Sequence, residues 1–386
     1  AGDVFEERNH LKQLIDSRPF SAEYHYELAE SYFNTADVEN AISSYLKVLQ
    51  LDPEFARAYN HLGYCLSWEG KHDQALSTLE RYVELENTPN ANDSLCDALY
   101  SAGLYEEAFS RESEAIAGSP ERGWQYKLAF IRLLQGRYGR AKELAEAYLP
   151  AIQVASHRMA LWGVLAFIHY QNGDFEKALQ ACRTGLGELA LRESGVEEQY
   201  LLAVSGADTR AEELYWLEGI LQVELGNQED ARRNLSAMKW MIDRAEIGRK
   251  KYKPIWKFWL SLRASIGASE GNSAEVVSSA EELVALAEKL GYWGTFYDRS
   301  LIFDLMAQTL EETGQLSKAE EMYRKVLAYN PNFALAHYHL GQLMKKVDRP
   351  VEAAEELNTF LELWRDADNS VPEVEAAKKA VKQLAS

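Results

Sequence analysis

The sequence predicts an all-α protein built as a stack of helix-turn-helix repeats. Two observations carry this prediction: an amphipathic unit of thirty-four residues recurs along the chain, and no stretch shows a convincing strand pattern. The clearest copy is residues 22–55, AEYHYELAESYFNTADVENAISSYLKVLQLDPEF. Because one such unit cannot bury its own apolar face, it has to be covered by neighbouring copies.

Two amphipathic helices are legible in this unit, separated by a turn at Asn34 to Val38 and closed by Pro53. Their apolar faces are carried by Leu28, Ala29 and Tyr32 in the first helix and by Ala41, Tyr45 and Val48 in the second. Residues 56–89 repeat this layout, with small residues at Gly63 and Ala75. Small residues let the two helices of a hairpin approach closely, while Leu62 and Leu79 fill the space beside them.

These residues resemble the tetratricopeptide repeat family in four respects. The shared features are the period, the Leu62-Gly63 pair, the second-helix alanines Ala41 and Ala75, and the closing Pro53. The resemblance implies a right-handed superhelical solenoid in which the first helix of each pair lines the concave face. We therefore expect about nine repeats followed by a C-terminal capping helix.

A solenoid grows by adding neighbours, so a chain of 386 residues needs no second core. We divide it into residues 1–21 (a capping or partial-repeat helix), 22–192 (repeats 1 to 5), 193–299 (an insertion and repeats 6 and 7), 300–371 (repeats 8 and 9) and 372–386 (the C-terminal cap). Repeat 7 is degenerate, since Arg263 and Gly267 stand at expected apolar positions and Val276 replaces the alanine. Between Glu193 and Gly294 the lengthened spacings predict a change of superhelical pitch.

Composition limits the classes of partner. The chain has 41 basic and 60 acidic residues, a formal charge of −19, which argues against general affinity for nucleic acid or anionic lipid. Its three cysteines fall at helix-core positions, which predicts buried thiols rather than disulfides or a metal site. The longest apolar run, Met159 to Ile168, is far shorter than the roughly 18 residues of a membrane span. We expect a cytoplasmic protein, or a periplasmic or extracellular one after signal cleavage.

Candidate binding residues are the first-helix side chains that packing between repeats does not require. In the N-terminal repeats they are polar and aromatic, without a basic residue: Tyr26, Glu30, Phe33, Asn60, His61, Tyr64, Trp68, Asp93, Asp97 and Tyr100. Further along they are more apolar: Tyr126, Phe130, Phe167, Tyr170, Trp216 and Ile220. Aromatic groups with polar tips beside Asn and Asp suit an extended peptide or a helix. The alternative is that these aromatics pack on one another along a tightly curved inner face.

The predicted function is a non-catalytic scaffold that binds a protein or peptide partner in this groove. Family members that hold acidic chaperone tails use Lys, Asn and Arg at fixed groove positions, which here read Tyr26, Glu30, His61, Asn90 and Ser94. This clamp is therefore absent. The alternative function is a ligand-sensing regulatory module whose small ligand fills the apolar middle of the groove around Phe130, Phe167 and Trp216.

One basic stretch, Arg244 to Trp259, opposes the acidic trend. It carries Arg249, Lys250, Lys251, Lys253 and Lys257 among aromatic residues. Such a patch could hold phosphate or an acidic peptide. We favour the other interpretation, a solvated loop between repeats whose tryptophans dock into the neighbouring repeat, because Pro254 interrupts the helix.

No catalytic or nucleotide-binding motif is present in the sequence, so we expect no enzyme, no cofactor and no metal. Two stretches, PNANDSLCDALYSAGLYEEA and ELNTFLELWRDADNSVPEVEAAKKAVKQL, resemble bacterial tetratricopeptide regions attached to Ser/Thr kinases, nucleotide cyclases or winged-helix regulators. This second resemblance implies the sensing or scaffolding part of a larger signalling protein or complex.

Overall fold

The computed structural model describes residues 2–35, 37–190, 211–247, 255–290, 299–368 and 371–384, and within these ranges it is helical without a strand. The first helices are α1 (Gly2–Ser17), α2 (Ala22–Phe33), α3 (Val38–Leu51), α4 (Ala56–Trp68), α5 (His72–Leu85), α6 (Pro89–Ser101) and α7 (Tyr105–Gly118). After a 3-10 turn at Pro120–Arg122 come α8 (Gln125–Leu134), α9 (Tyr138–Tyr148), α10 (Ala155–Gln171), α11 (Phe175–Ala190), α12 (Ala211–Glu224) and α13 (Gln228–Ile247). The remaining helices are α14 (Ile255–Ser269), α15 (Ser273–Leu290), α16 (Arg299–Glu312), α17 (Leu316–Tyr329), α18 (Ala334–Lys346), α19 (Pro350–Leu363) and α20 (Pro372–Leu384).

Consecutive helices pair as antiparallel hairpins, and the predicted all-α repeat fold is confirmed. Within a unit, second helices pack against the first helix of the next pair, as α3 does on α4 and α5 on α6. First helices also contact one another, as α4 does with α6. This pattern makes each repeat depend on its neighbours for burial, which is the defining property of a solenoid.

Local sequence signals set the ends of these helices. The hydroxyl of Thr88 accepts a hydrogen bond from the Ala91 amide at the start of α6, and Pro89 occupies the first turn. At the junctions between repeats, side chains of the following helix bond to proline carbonyls. The Tyr59 hydroxyl donates to the Pro53 carbonyl at 3.1 Å, and His337 Nε2 lies 2.9 Å from the Pro331 carbonyl oxygen. These bonds tie each first helix to the turn that precedes it.

Close packing within a hairpin depends on small residues, as the sequence predicted. A Cβ atom at Gly63 would lie 2.4 Å from Leu79 Cγ across the α4–α5 hairpin. Gly341 is in the same position relative to Leu357, at 2.7 Å, in the α18–α19 hairpin. The leucine therefore occupies the space that any larger residue would need.

The helix contacts divide the chain into two compact units. Unit 1 comprises residues 1–120, 245–253 and 285–294, and unit 2 comprises 121–244, 254–284 and 295–386. Helices α1 to α7 lie in unit 1, where α1 packs on α2 in the way that a second helix packs on the next repeat.

The last helix, α20, packs on α19 through Val374, Ala377 and Ala380, which are buried. It begins at Pro372, as the sequence predicts for a cap. All three cysteines are buried, which confirms their assignment as core residues. In the ranges given above, no helix is both long and apolar enough to cross a membrane.

Several sequence predictions fall outside the described residues. The insertion after repeat 5, Glu193 to Thr209, lies within 191–210, and the joints on either side of repeat 7 lie in 248–254 and 291–298. The change of pitch between Glu193 and Gly294 therefore stays a prediction. Within repeat 7, α14 and α15 form a pair of consecutive helices, with Val276 fully buried on α15.

Candidate functional site

The concave candidates of unit 1 lie on three consecutive first helices, α2, α4 and α6. Repeat spacing puts Tyr26, Asn60 and Asp93 at equivalent positions, and Tyr64 and Asp97 one helical turn further on. A contact between repeats joins the second row, since the Tyr64 hydroxyl donates to Asp97 Oδ2 at 3.1 Å. The structure thus brings these predicted residues onto neighbouring helices.

Exposure separates the predicted groove residues of unit 1 into two groups. Glu30, Asn60, His61, Tyr64, Asp97 and Tyr100 are half-buried. Tyr26, Phe33, Trp68 and Asp93 are 5 to 9% exposed. The Phe33 ring stacks on His61 at 4.6 Å and lies 5.1 Å from Trp68. The expectation that Tyr26, Phe33 and Trp68 are spared from packing is wrong, because all three belong to the hydrophobic core of the first two repeats.

A carboxylate, an imidazole and a phenol meet between α2, α3 and α4. The Tyr45 hydroxyl donates to Glu30 Oε1 at 2.5 Å, and His61 Nδ1 lies 2.5 Å from the same oxygen. Burial raises the pKa of Glu30, but the hydrogen bonds and charge of His61 and the Tyr45 hydroxyl outweigh it and leave that pKa below its ordinary value. Glu30 is therefore held as a carboxylate on α2, the first helix of the first repeat.

One polar group on this face lacks a described partner. The Oδ1 atom of Asn60 is buried and accepts no hydrogen bond from the described residues. A buried carbonyl without a donor is unfavourable, so this oxygen lowers the stability of the repeat.

Charge is concentrated in the same part of the sequence. Residues 1–120 contain 22 Asp and Glu but only 8 Lys and Arg, so they carry −14 of the net charge of −19. A potential of this sign attracts cationic groups and repels anionic ones.

The apolar candidates of unit 2 are core residues. Tyr126, Phe130, Phe167, Trp216 and Ile220 are 1 to 8% exposed, and only Tyr170 is half-buried. Trp216 packs on Phe258 with ring centroids 5.4 Å apart and donates from Nε1 to the Ser261 hydroxyl. The prediction that these five side chains are not needed for packing is therefore wrong, and the Tyr170 ring also lies 6.1 Å from Phe167 and 5.8 Å from Phe175. First helices in this unit contact each other closely enough to bury their inner faces.

The basic stretch is described only in part. Arg249, Lys250, Lys251 and Lys253 lie outside the described residues. Lys257 is fully buried on α14, with its Nζ 4.8 Å from the centroid of the Phe258 ring, so its assignment to a solvated patch is wrong. Trp256 is 4% exposed, which agrees with the interpretation that the tryptophans of this stretch dock into a neighbouring repeat.

Unit 2 contains a carboxylate–imidazole pair, Asp304 and His339, comparable to Glu30 and His61 in unit 1. This pair was not predicted from the sequence. The Asp304 carboxylate is 1% exposed, and both of its oxygens lie 3.0 Å from His339 Nδ1. The Tyr323 ring stacks near the imidazole, with centroids 6.0 Å apart. The spacing from Tyr45 to His61 equals that from Tyr323 to His339, a recurrence that could have indicated the pair.

This pair predicts a specific pH dependence. Burial lowers the pKa of His339, but the charge and hydrogen bond of Asp304 raise it more, so the pKa lies above its ordinary value. A raised folded-state pKa gives stability that is fully present below the unfolded value of about 6.5 and is lost as the pH rises through the folded value. We expect the stability difference between wild type and Asp304→Asn to shrink as the pH rises above about 6.5. Urea unfolding of both proteins between pH 5.5 and 9 measures this; a constant difference would contradict it.

Metal-binding geometry is not found in the described ranges. No group of three or more His, Cys, Asp or Glu side chains there could hold a metal ion.

Comparison with known proteins adds three matches to tetratricopeptide repeat models, over residues 22–55, 56–89 and 305–368. The sequence matches no curated protein. Among solved structures, the chain is similar to a tetratricopeptide repeat protein from Parabacteroides merdae, with 14% identity over 86% of this chain and 99% of that one and a TM-score of 0.38. It is also similar to MamA protein, with 20% identity over 45% of this chain and 97% of that one and a TM-score of 0.37.

Proposed function

We propose that this chain, a tetratricopeptide repeat protein, is a non-catalytic scaffold that binds a protein or peptide partner on the concave face of unit 1. A role in protein interaction is supported by the repeat matches at both ends of the chain. The choice of face and the chemistry of the partner are our inference.

The observation that carries the proposal is the set of half-buried polar and aromatic side chains on consecutive first helices. Tyr64 and Tyr100 offer half-buried aromatic rings, and Asn60 and Asp97 are half-buried polar side chains on the same helices. A bound chain would supply hydrogen-bond donors to the half-buried polar side chains and apolar area to the rings.

The charge of this part of the chain selects among partners. With Glu30 held as a carboxylate and residues 1–120 at −14, the favoured partner is a segment rich in Lys and Arg. Electrostatic complementarity of this kind increases the association rate and excludes acidic competitors. An acidic tail, a nucleic acid or an anionic lipid surface would be repelled.

The ligand-sensing alternative requires an accessible apolar middle around Phe130, Phe167 and Trp216. These side chains are 1 to 4% exposed and packed against their neighbours. A small ligand would have to displace that packing, so no observation favours this second function.

Partner capture with a charge-matched control tests the proposal. Asn60→Ala combined with Asp97→Asn changes the concave face, whereas Glu80→Gln removes one negative charge at an exposed position of α5. We expect wild type and Glu80→Gln to recover the same proteins from a lysate of the source organism, and the concave variant to recover them at least tenfold less, because contacts to anchor residues dominate affinity. Quantitative mass spectrometry measures recovery. Equal recovery by all three folded proteins would exclude this face.

A further inference from the structure

Within unit 2, a contact joins two segments that are far apart in the sequence. The residues that follow α19, 364–368, pack on the turn 134–139 between α8 and α9, although the two segments are separated by about 230 residues. The indole Nε1 of Trp364 donates to the Leu134 carbonyl at 3.0 Å in a buried hydrogen bond. Unit 2 also has a continuous path of helix contacts from α8 through α10, α12, α14 and α16 to α18 and α19.

The contact satisfies backbone groups that the helices leave unpaired. Leu134 ends α8, where carbonyls have no partner within the helix, and Trp364 supplies the donor. At the start of α9, Arg137 provides no side-chain cap. The Asp368 carboxylate accepts from the Gly139 amide at 2.6 Å instead, and it lies at the positive end of the helix dipole.

Shape and charge complement these hydrogen bonds. A Cβ atom at Gly136 would lie 2.8 Å from the Trp364 ring, and the φ of +68° at this residue also favours glycine. The Asp368 amide donates to the Gly136 carbonyl at 3.0 Å, and Arg137 pairs with Asp366 at 3.1 Å. The Trp364 ring meets Tyr138 edge-on with centroids 6.2 Å apart, and it is 3% exposed.

We propose that the α8–α9 corner is a binding site for a Trp-x-Asp-x-Asp segment, and that the chain's own residues 364–368 occupy it as an internal ligand. In this corner the Leu134 carbonyl accepts from the indole, and Gly136 leaves room for the ring. The N-terminus of α9 binds the Asp368 carboxylate, and Arg137 pairs with Asp366. Release of this segment opens the end-to-end contact of unit 2. The proposal is independent of partner binding on unit 1.

An intramolecular ligand is present at high effective concentration, so it excludes the same sequence supplied in trans. The probe is a fluorescein-labelled peptide of residues 360–368, FLELWRDAD, and the control peptide has Trp replaced by Ala and both Asp by Asn. The full-length variant Trp364→Ala with Asp368→Asn releases the internal segment. Addition of Gly136→Val to this variant fills the space for the indole.

Fluorescence anisotropy should show binding of FLELWRDAD to the released variant at least tenfold tighter than to wild type. Gly136→Val should return the affinity to the wild-type level, and the control peptide should not bind. Small-angle X-ray scattering should show a larger radius of gyration for the released variant and no change for Glu362→Gln, a substitution at an exposed position of α19.

Equal affinity of the peptide for wild type and released variant would overturn the proposal, as would binding that Gly136→Val leaves unchanged. If circular dichroism shows that loss of Trp364 unfolds the protein, Trp364→Leu with Asp368→Asn replaces it, because leucine keeps apolar volume at this position but lacks the indole N–H that bonds to Leu134 and the ring that packs on Gly136. A folded variant of either kind that does not bind the peptide also excludes the site.

Discussion

Replacing Gly63 with valine should destabilise the first repeats by about 3 kcal/mol, at the upper end of the range for overpacked cores. The new Cβ would lie 2.4 Å from Leu79 Cγ, and the other two nearest atoms are the Leu79 methyl carbons at 2.7 and 2.8 Å. Leu79 cannot retreat, because it is fully buried in the α4–α5 hairpin. Urea denaturation followed by circular dichroism, with hydrogen exchange to locate the change in unit 1, measures the effect.

A second glycine provides the control for helix propensity. Gly187 lies within α11, and a Cβ atom added there would meet nothing within 4 Å. Gly187→Ala should therefore stabilise the protein by up to about 1 kcal/mol, since alanine loses less entropy than glycine in a helix. If Gly63→Val left the free energy of unfolding as high as Gly187→Ala does, close approach of the hairpin helices would not be the reason for glycine at position 63.

The repeat architecture could be predicted because it is encoded locally. Gly63, Ala75 and Leu79 belong to one thirty-four-residue unit, and their spacing alone states which residues meet across the hairpin. The proline junctions at Pro53 and Pro331 are equally local, since each bonds to a side chain six residues later. Periodicity therefore predicts contacts within a repeat and between neighbours.

The contact between residues 364–368 and the α8–α9 corner could not be predicted in this way. Gly136 reads in the sequence as an ordinary repeat glycine, and Trp364 reads as the end of an amphipathic helix. Nothing local shows that the two meet, because the contact depends on the rotation accumulated over all repeats between them. Small errors in that rotation add up, so end-to-end contacts of a solenoid need the structure.

The exposure of side chains on the inner face could not be predicted from the sequence either. A first-helix position that faces the concave side has the same sequence pattern whether neighbouring first helices are separated or pressed together. In unit 1 the face remains half-exposed at Asn60, Tyr64 and Asp97, whereas in unit 2 the equivalent aromatic residues are core. The identity of the side chains did not predict their exposure.

Trp216→Ala distinguishes these two roles for an inner-face aromatic residue. A groove residue could be truncated with little effect on stability, but Trp216 is 1% exposed, packs on Phe258 and donates to Ser261. We expect a loss of about 3 to 5 kcal/mol, the usual cost of deleting a buried Trp side chain.

The matched control is an aromatic residue of the same chain that is not packed. Phe20 is 83% exposed, so Phe20→Ala should change the free energy of unfolding by no more than about 0.5 kcal/mol. Trp216→Phe should fall between the two, because it keeps most of the ring area but loses the indole N–H that reaches Ser261. Chemical denaturation of the three variants tests this order. A Trp216→Ala protein as stable as Phe20→Ala would mean that the inner face of unit 2 is open, and the ligand-sensing function would then regain its structural basis.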